Sequence, residues 1–276
     1  VAAEENRMGS TANVGNASDR AGTAGLSARD RHELLKDAGR LLTPSGRRRF
    51  LRGGLSLGGL AMITGCGVSN SEDAERLLMR VSRLNDAVQS WIFDPNALAP
   101  TYSEDRITRP FPFNAFYSEA EAPVVDGKGF FLQVSGRVAQ RDIWTLDQLA
   151  ALPQEEQITR HICVEGWSAI GRWGGVPFAT FLKRIGADLT ARYVGFKCAD
   201  DYFTSIDMPT ALHRQTLLAL RYDGQTLPRK YGFPMKLRMP TKLGYKNPKH
   251  IVEIFVTNDY PGGYWEDQGY NWFGGS

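Results

Sequence analysis

The sequence predicts an α+β domain, a body of mixed sheets with few helices, preceded by a long leader. Three observations carry that prediction. The apolar runs of the second half are short and are punctuated by glycine and proline, as strands are. Helical periodicity surfaces in only a few isolated places. No internal repeat, phosphate loop or G-x-G-x-x-G fingerprint points to a solenoid or a doubly wound sheet.

Taken in order, residues 1–46 are rich in Ala, Gly, Ser, Asn and charge, with almost no β-branched or aromatic side chains. Such a composition cannot bury enough apolar surface to fold, so this stretch is expected to be disordered. Arg47-Arg48-Arg49-Phe50-Leu51-Arg52 follows, then an uncharged run from Gly53 to Gly65 that ends at Cys66. The run is too short to cross a bilayer, which takes about 20 apolar residues. The arrangement resembles a twin-arginine export signal with Arg47-Arg48 as the pair. That resemblance implies transport through the twin-arginine translocase to the periplasm, and it raises the expectation of a cofactor inserted before export. Ile63-Thr64-Gly65-Cys66 resembles a lipoprotein cleavage box, with Cys66 as the lipid-bearing residue, and cleavage nearby without a lipid is the competing reading.

Charge supports the same division. Of 33 Lys and Arg and 30 Asp and Glu, ten and six lie in residues 1–52, leaving 23 and 24 in the remainder. The basic character belongs to the leader, and the rest gives no electrostatic footprint for nucleic acid.

Residues 67–105 are read as an amphipathic helix and a proline-rich linker. Leu77, Val81, Leu84, Val88 and Trp91 recur at helical spacing, and the stripe is expected to dock on the body. Pro95, Pro100, Pro110 and Pro112 mark extended chain. The body, 106–276, reads as strands at 130–138, 158–164, 193–198, 235–239 and 251–256. Thr145 and Gln148 form a capping box ahead of Leu146, Leu149 and Leu152. Pro177 opens a second short helix carrying Phe178, Phe181, Leu182 and Ile185. The tail from 259 to 273 sets aromatics among glycines. It reads as an ordered segment pinned by its rings, with a substrate mouth or an electron-donor face as alternatives.

Three cysteines, Cys66, Cys163 and Cys198, are too few for a disulfide scaffold and lack zinc-site or haem-attachment spacing. Cys163 stands at the end of a predicted strand, ahead of a glycine-rich turn running to Gly175. From the residues alone it is a buried core cysteine, a disulfide partner of Cys198, or a thiolate metal ligand favoured by positive charge on Arg160 or His161.

The run Cys163-Val164-Glu165-Gly166-Trp167-Ser168, then Gly174-Gly175-Val176-Pro177-Phe178, resembles the molybdenum-ligand segment of the sulfite-oxidase family, closest to its periplasmic methionine-sulfoxide-reductase branch. The resemblance covers roughly 106–276 and implies a sulfite-oxidase-type molybdopterin-binding domain with Cys163 as the metal's thiolate. Asn114-Ala115-Phe116-Tyr117 resembles an early pterin-contacting element, which carries Asn114, Tyr117 and Ser118 into the site. Cys198 falls where that branch has a cofactor-touching threonine, Tyr231 where it has His or Asn, and Lys236 where it has Arg. The turn from Pro240 to Lys249 resembles the family's phosphate-binding turn and brings in Asn247 and Lys249. Read from composition, Lys242, Lys246 and Lys249 around Gly244 and Asn247 are a cradle for one phosphate or a solvated charged turn.

What the resemblance implies is a molybdenum-molybdopterin oxidoreductase performing oxygen-atom transfer on a small S-oxide or similar oxo substrate. Arg160, with Arg172 as a second candidate, would polarise the substrate oxygen. The chain carries no haem or iron–sulfur motif, so electrons would pass to or from a separate partner, a cytochrome or membrane haem protein. The immunoglobulin-like dimerisation domain of larger sulfite oxidases is not found, and a monomer is expected. Two alternatives stand: a sulfite-dehydrogenase-like oxidase, and a non-catalytic exported lipoprotein with a Cys163/Cys198 disulfide.

Overall fold

The computed structural model describes residues 72–276. The leader, the arginine pair Arg47-Arg48 and Cys66 lie outside the described residues.

The body is built on two five-stranded sheets. The first runs β2 (Ile143–Trp144), β1 (Leu132–Gly136), β10 (Ile251–Thr257), β5 (Tyr193–Cys198), β6 (Phe203–Asp207). Only β1 and β10 pair in parallel. The second runs β3 (Glu155–Ile162), β4 (Ser168–Pro177), β7 (Leu217–Tyr222), β8 (Gln225–Thr226), with β9 (Lys236–Arg238) also paired to β7. Short helices punctuate them: α2 (Leu146–Ala150), α3 (Phe178–Arg184) and α4 (Met208–Leu212) follow the long α1 (Glu72–Ile92).

Local sequence explains the short helices. At α2 the Gln148 N–H donates to the Thr145 hydroxyl (3.2 Å) while the Thr145 N–H donates to the Gln148 side chain (2.9 Å), the reciprocal cap expected of that spacing. At α3 Phe178, Phe181 and Leu182, with Ile185 just beyond, are fully buried in the main core. Each such side chain contributes roughly 1.5–3 kcal/mol of burial. A second, smaller cluster joins Phe111, Trp173, Leu217, Ala219 and Tyr231 across the second sheet.

Two expectations are corrected. The turn after Cys163 does not run to Gly175: it ends by Trp167, and Ser168–Pro177 is the ten-residue strand β4, paired along its whole length with β3 or β7. Its glycines mark close backbone approach. A Cβ at Gly175 would lie 2.1 Å from the Leu218 carbonyl oxygen, so only glycine lets β4 and β7 meet there. The predicted helix is present as α1, but its apolar stripe does not dock on the body. Val81, Leu84, Val88 and Trp91 are exposed, whereas Asp86 accepts the Phe273 N–H (3.1 Å) and half-buried Phe93 just beyond the helix packs on the Phe273 ring.

The proline-rich stretch lies along the body. The Ala97 carbonyl meets His213 (2.9 Å), the Ala99 N–H donates to the Gln215 side chain (2.8 Å), Thr101 bridges to Thr159, and Ile107 and Phe111 are buried. The aromatic tail is pinned as expected: the Trp272 indole donates to the Ser205 hydroxyl (2.9 Å) and its ring stands edge-on to Tyr193.

Candidate functional site

The β3–β4 hairpin presents Cys163. Its N–H donates to the Trp167 carbonyl (2.9 Å) and its carbonyl accepts from Gly166 (3.2 Å), which closes a tight turn whose outer residues, Val164 and Glu165, face solvent. The thiol itself is buried. It lies 3.7 Å from a Glu165 carboxylate oxygen that also accepts the Trp167 indole N–H (2.9 Å). Burial, and then the neighbouring carboxylate, push the thiol's pKa up. An unliganded Cys163 is therefore protonated at neutral pH, and the thiolate requires a cation such as a metal to offset it.

Strand alternation decides what surrounds it. On β3, Thr159 and His161 point to the buried face, whereas Arg160 between them is exposed. His161 is fully buried, with Nε2 3.4 Å from the Asn114 amide nitrogen. A Cβ at Gly244 would lie 2.9 Å from that Nε2, so the turn needs glycine to pass over the ring. Burial, and then the charges of Lys236, Arg238 and Lys249, hold the imidazole well below its ordinary pKa. His161 is neutral and lends no positive charge to Cys163, contrary to the expectation from sequence.

Along β9 and its two flanking residues, Met235, Leu237 and Met239 enter the main core, and Lys236 and Arg238 take the opposite face. Both cations are buried, over the Trp173 ring at 5.0 and 6.0 Å. Arg238 donates to the Arg160 carbonyl (2.7 Å), the Thr159 hydroxyl (3.2 Å) and the Asn247 side-chain oxygen (3.2 Å), which ties β9 to β3. Burial lowers its pKa to about 9, still protonated at neutral pH. Lys236 makes no hydrogen bond or ion pair among the described residues. Burial, and then Lys249 and Arg238, hold its pKa well below the usual lysine value, with Cys163 acting in the opposite direction.

Lys249 completes the group. Its ammonium donates to the Asn114 carbonyl (2.7 Å) and lies 4.7 Å from the Phe113 ring centre and 5.6 Å from that of Tyr117. Burial lowers its pKa to about 8. Tyr117 donates to Asp200 (2.8 Å), and this carboxylate and Lys249 both act on the buried thiol of Cys198, whose pKa burial pushes well up. Cys163 and Cys198 are both free thiols, which overturns the disulfide alternative.

The structure thus brings together Cys163, Lys236, Lys249, Asn114, Tyr117 and Cys198, and adds His161, Arg238 and Trp173. Asn247 serves from behind: its side-chain oxygen accepts from Arg238 and from the Met239 N–H (2.7 Å), and its amide donates to the Leu243 carbonyl (3.0 Å). Other expected residues are placed elsewhere. Arg160 is turned to solvent by the strand's alternation. Arg172 pairs with Glu104 and lies near Glu156 (3.7 Å) and Asp223 (4.0 Å). Ser118 is occupied by Glu121 (2.7 Å), and the Tyr231 hydroxyl by the Phe111 carbonyl (2.7 Å) in the aromatic cluster. The three-lysine cradle is not formed. Lys242 donates to the Phe273 carbonyl (2.9 Å), and Lys246 is paired with Glu266 and donates to the Thr204 hydroxyl (3.1 Å), so only Lys249 faces the site.

These residues fit an anionic, thiolate-liganded cofactor. Three cationic side chains converge without an ion-paired carboxylate among the described residues, an arrangement that is unfavourable until an anion neutralises it. His161 Nδ1, Arg238 Nε and Trp173 Nε1 are buried without hydrogen-bond partners among the described residues. No cluster of three or more His, Cys, Asp or Glu side chains suited to a metal occurs among the described residues, so a metal at Cys163 must take most of its ligands from a cofactor.

Comparison with known proteins agrees. The family described as "Oxidoreductase molybdopterin binding domain" matches residues 119–265. The chain is 65% identical over 244 residues to the "Putative protein-methionine-sulfoxide reductase subunit YedZ1" of Azospira oryzae, covering 88% of this chain and 93% of that protein. It is 36% identical over 152 residues to the "Protein-methionine-sulfoxide reductase catalytic subunit MsrP" of Xanthomonas campestris, covering 49% of this chain and 47%, just under half, of that relative. Among solved structures, the sulfane dehydrogenase SoxCD of Paracoccus pantotrophus aligns with a TM-score of 0.47 at 17% identity, over 50% of this chain and 40% of that one, a likeness on which nothing further rests.

Proposed function

The chain belongs to the oxidoreductase molybdopterin-binding family, and from that membership we propose that it reduces a sulfoxide by oxygen-atom transfer, with electrons drawn from a separate redox protein at the periplasmic face of a membrane. When bound, the molybdenum-molybdopterin group supplies the two-electron oxygen-atom chemistry. The protein's part is to hold and neutralise that group. Cys163 would donate the thiolate, and Lys236, Arg238 and Lys249 would face its negative charge. His161 and Asn114 would offer neutral polar contacts, and Asn247 keeps Arg238 and the β9 backbone in place.

One observation carries the choice of substrate. The solvent side of Cys163 is bordered by Val164, Glu165 and Trp167, while Arg160 and Arg172 point elsewhere. A neutral S-oxide is compatible with an acidic, apolar mouth, whereas a sulfite dianion would meet the Glu165 carboxylate with no arginine beside it. The names of the two methionine-sulfoxide-reductase relatives support the same reading. The periplasmic location rests on the sequence of the leader.

The test is a substrate panel on protein matured in its native host. Free and peptide-bound methionine sulfoxide with a reduced artificial donor should turn over, and sulfite with an artificial acceptor should not. Turnover of sulfite alone would overturn the proposal in favour of the dehydrogenase reading.

A further inference from the structure

The helix α1 is mounted with its apolar side outward. Val81 (56% exposed), Leu84 (45%), Val88 (42%) and Trp91 (67%) fall on one stripe at i, i+3 and i+4 spacing, and Ile92 (68%) extends it. At 100° per residue, Asp86, which accepts the Phe273 N–H, lies across the helix from that stripe, and Gln89 lies at the stripe's flank. A surface helix in a soluble fold is ordinarily docked the other way round. Here the polar side is held by the body, and five large apolar side chains face out.

We propose that this stripe lies on the surface of a lipid bilayer and seats the domain there. Three features favour a membrane over another protein surface. The stripe is a single narrow band about 16 Å long, at 1.5 Å per residue from Val81 to Ile92, and it carries a tryptophan near its end, a residue that prefers the membrane interface. The helix is no span, since no helix among the described residues is long and apolar enough to cross a membrane. The sequence ahead of it points to the same place. Cys66, at the end of the lipoprotein-like box, is separated from Glu72 by residues 67–71, a tether that reaches at most about 20 Å. A lipid on Cys66 would hold α1 within reach of the bilayer, and one acyl signal anchors stably only with a second contact, which the stripe supplies. This inference extends the location given above and is independent of the substrate.

The helix holds Glu72, Asp73, Glu75 and Asp86 against Arg76, Arg80 and Arg83, so apolar burial rather than charge attraction must carry the contact, and binding should resist salt. The test uses the full chain with its cofactor and with Cys66→Ser to remove lipidation, sedimented with vesicles of phosphatidylethanolamine and phosphatidylglycerol. The parent protein should co-sediment at low and high salt. Val88→Glu with Trp91→Glu should weaken binding by at least about tenfold, while molybdenum content and turnover, which depend on a site elsewhere in the fold, stay the same. A milder Trp91→Ala variant should weaken it less and in the same direction. Absence of vesicle binding, or equal binding by parent and variants, overturns the proposal. So does a dimer in sedimentation velocity that dissociates in the double variant without vesicle binding, which would assign the stripe to a second copy. Failure of export in cells bears on the leader and leaves the vesicle result standing.

Discussion

Replacing Lys236 by methionine should move two properties in opposite directions. In the unloaded protein Lys236 is buried against Arg238 and Lys249 with no hydrogen bond or ion pair among the described residues, and the Trp173 face lies 5.0 Å from its ammonium nitrogen. A desolvated cation–π contact is worth about 2 kcal/mol, and against it stand burial and the charges of Lys249 and Arg238, which hold the lysine's pKa well below its usual value. Lys236→Met keeps the volume and removes the charge, and should stabilise the unloaded protein by roughly 1–3 kcal/mol, a rise of about 2–10 °C in Tm for a domain of this size. With an anionic cofactor in place, the same change removes a buried counter-charge. That costs about 2–5 kcal/mol, at least a thirtyfold loss of retention on the scale of about 1.4 kcal/mol per tenfold. Tm should be measured on protein from a host unable to make the pterin, and molybdenum and pterin content on protein from the native host. A lower Tm for the unloaded variant together with an unchanged molybdenum content would instead make Lys236 a structural cation with a partner of its own.

Two other substitutions probe the frame around the site. Burial lowers Lys242 from 10.5 to about 7. Below about pH 7 the fold bears the full cost of a buried ammonium. Between about 7 and 10.5 the unfolded chain binds the extra proton, so stability rises with pH. The Tm of wild type relative to Lys242→Met should therefore climb from pH 6.5 to pH 9.5, and a flat difference would show that Lys242 does not titrate there. Asn247→Ala should leave the Met239 N–H and one Arg238 donor unpaired at a cost of about 1–3 kcal/mol. A thermal melt and a molybdenum assay should both fall, and an unchanged melt would remove Asn247 from the frame.

Much of the fold was legible because the strands obey local rules. The strand over 193–198 needs only a short apolar run, and the helix starts at Thr145 and Pro177 need only local turn chemistry. β4 was not legible, because glycines at 171, 174 and 175 read as a turn until the neighbouring strand that requires them is seen. The outward stripe of α1 was misassigned for a related reason: periodicity identifies an apolar face and is silent on what it faces.

At the site, Cys163, Lys236, Lys249, Asn114 and Tyr117 were found through resemblance. Arg238 was missed, although Met235-Lys236-Leu237-Arg238-Met239 alternates apolar and cationic residues with period two and so places both cations on one face. The same parity, applied to His161 and Cys163, separates Arg160 from the thiol. The lysines at 242 and 246 could not be sorted from Lys249 by spacing, since their partners, Phe273 and Glu266, lie some twenty to thirty residues away.

Cys163 is the residue proposed to ligate molybdenum. X-ray absorption at the molybdenum edge, on wild type and Cys163→Ser protein matured in the native host, tests this ligation most directly. The serine variant, where it retains metal, should show one sulfur neighbour fewer and no turnover. An unchanged sulfur count with turnover intact would contradict it.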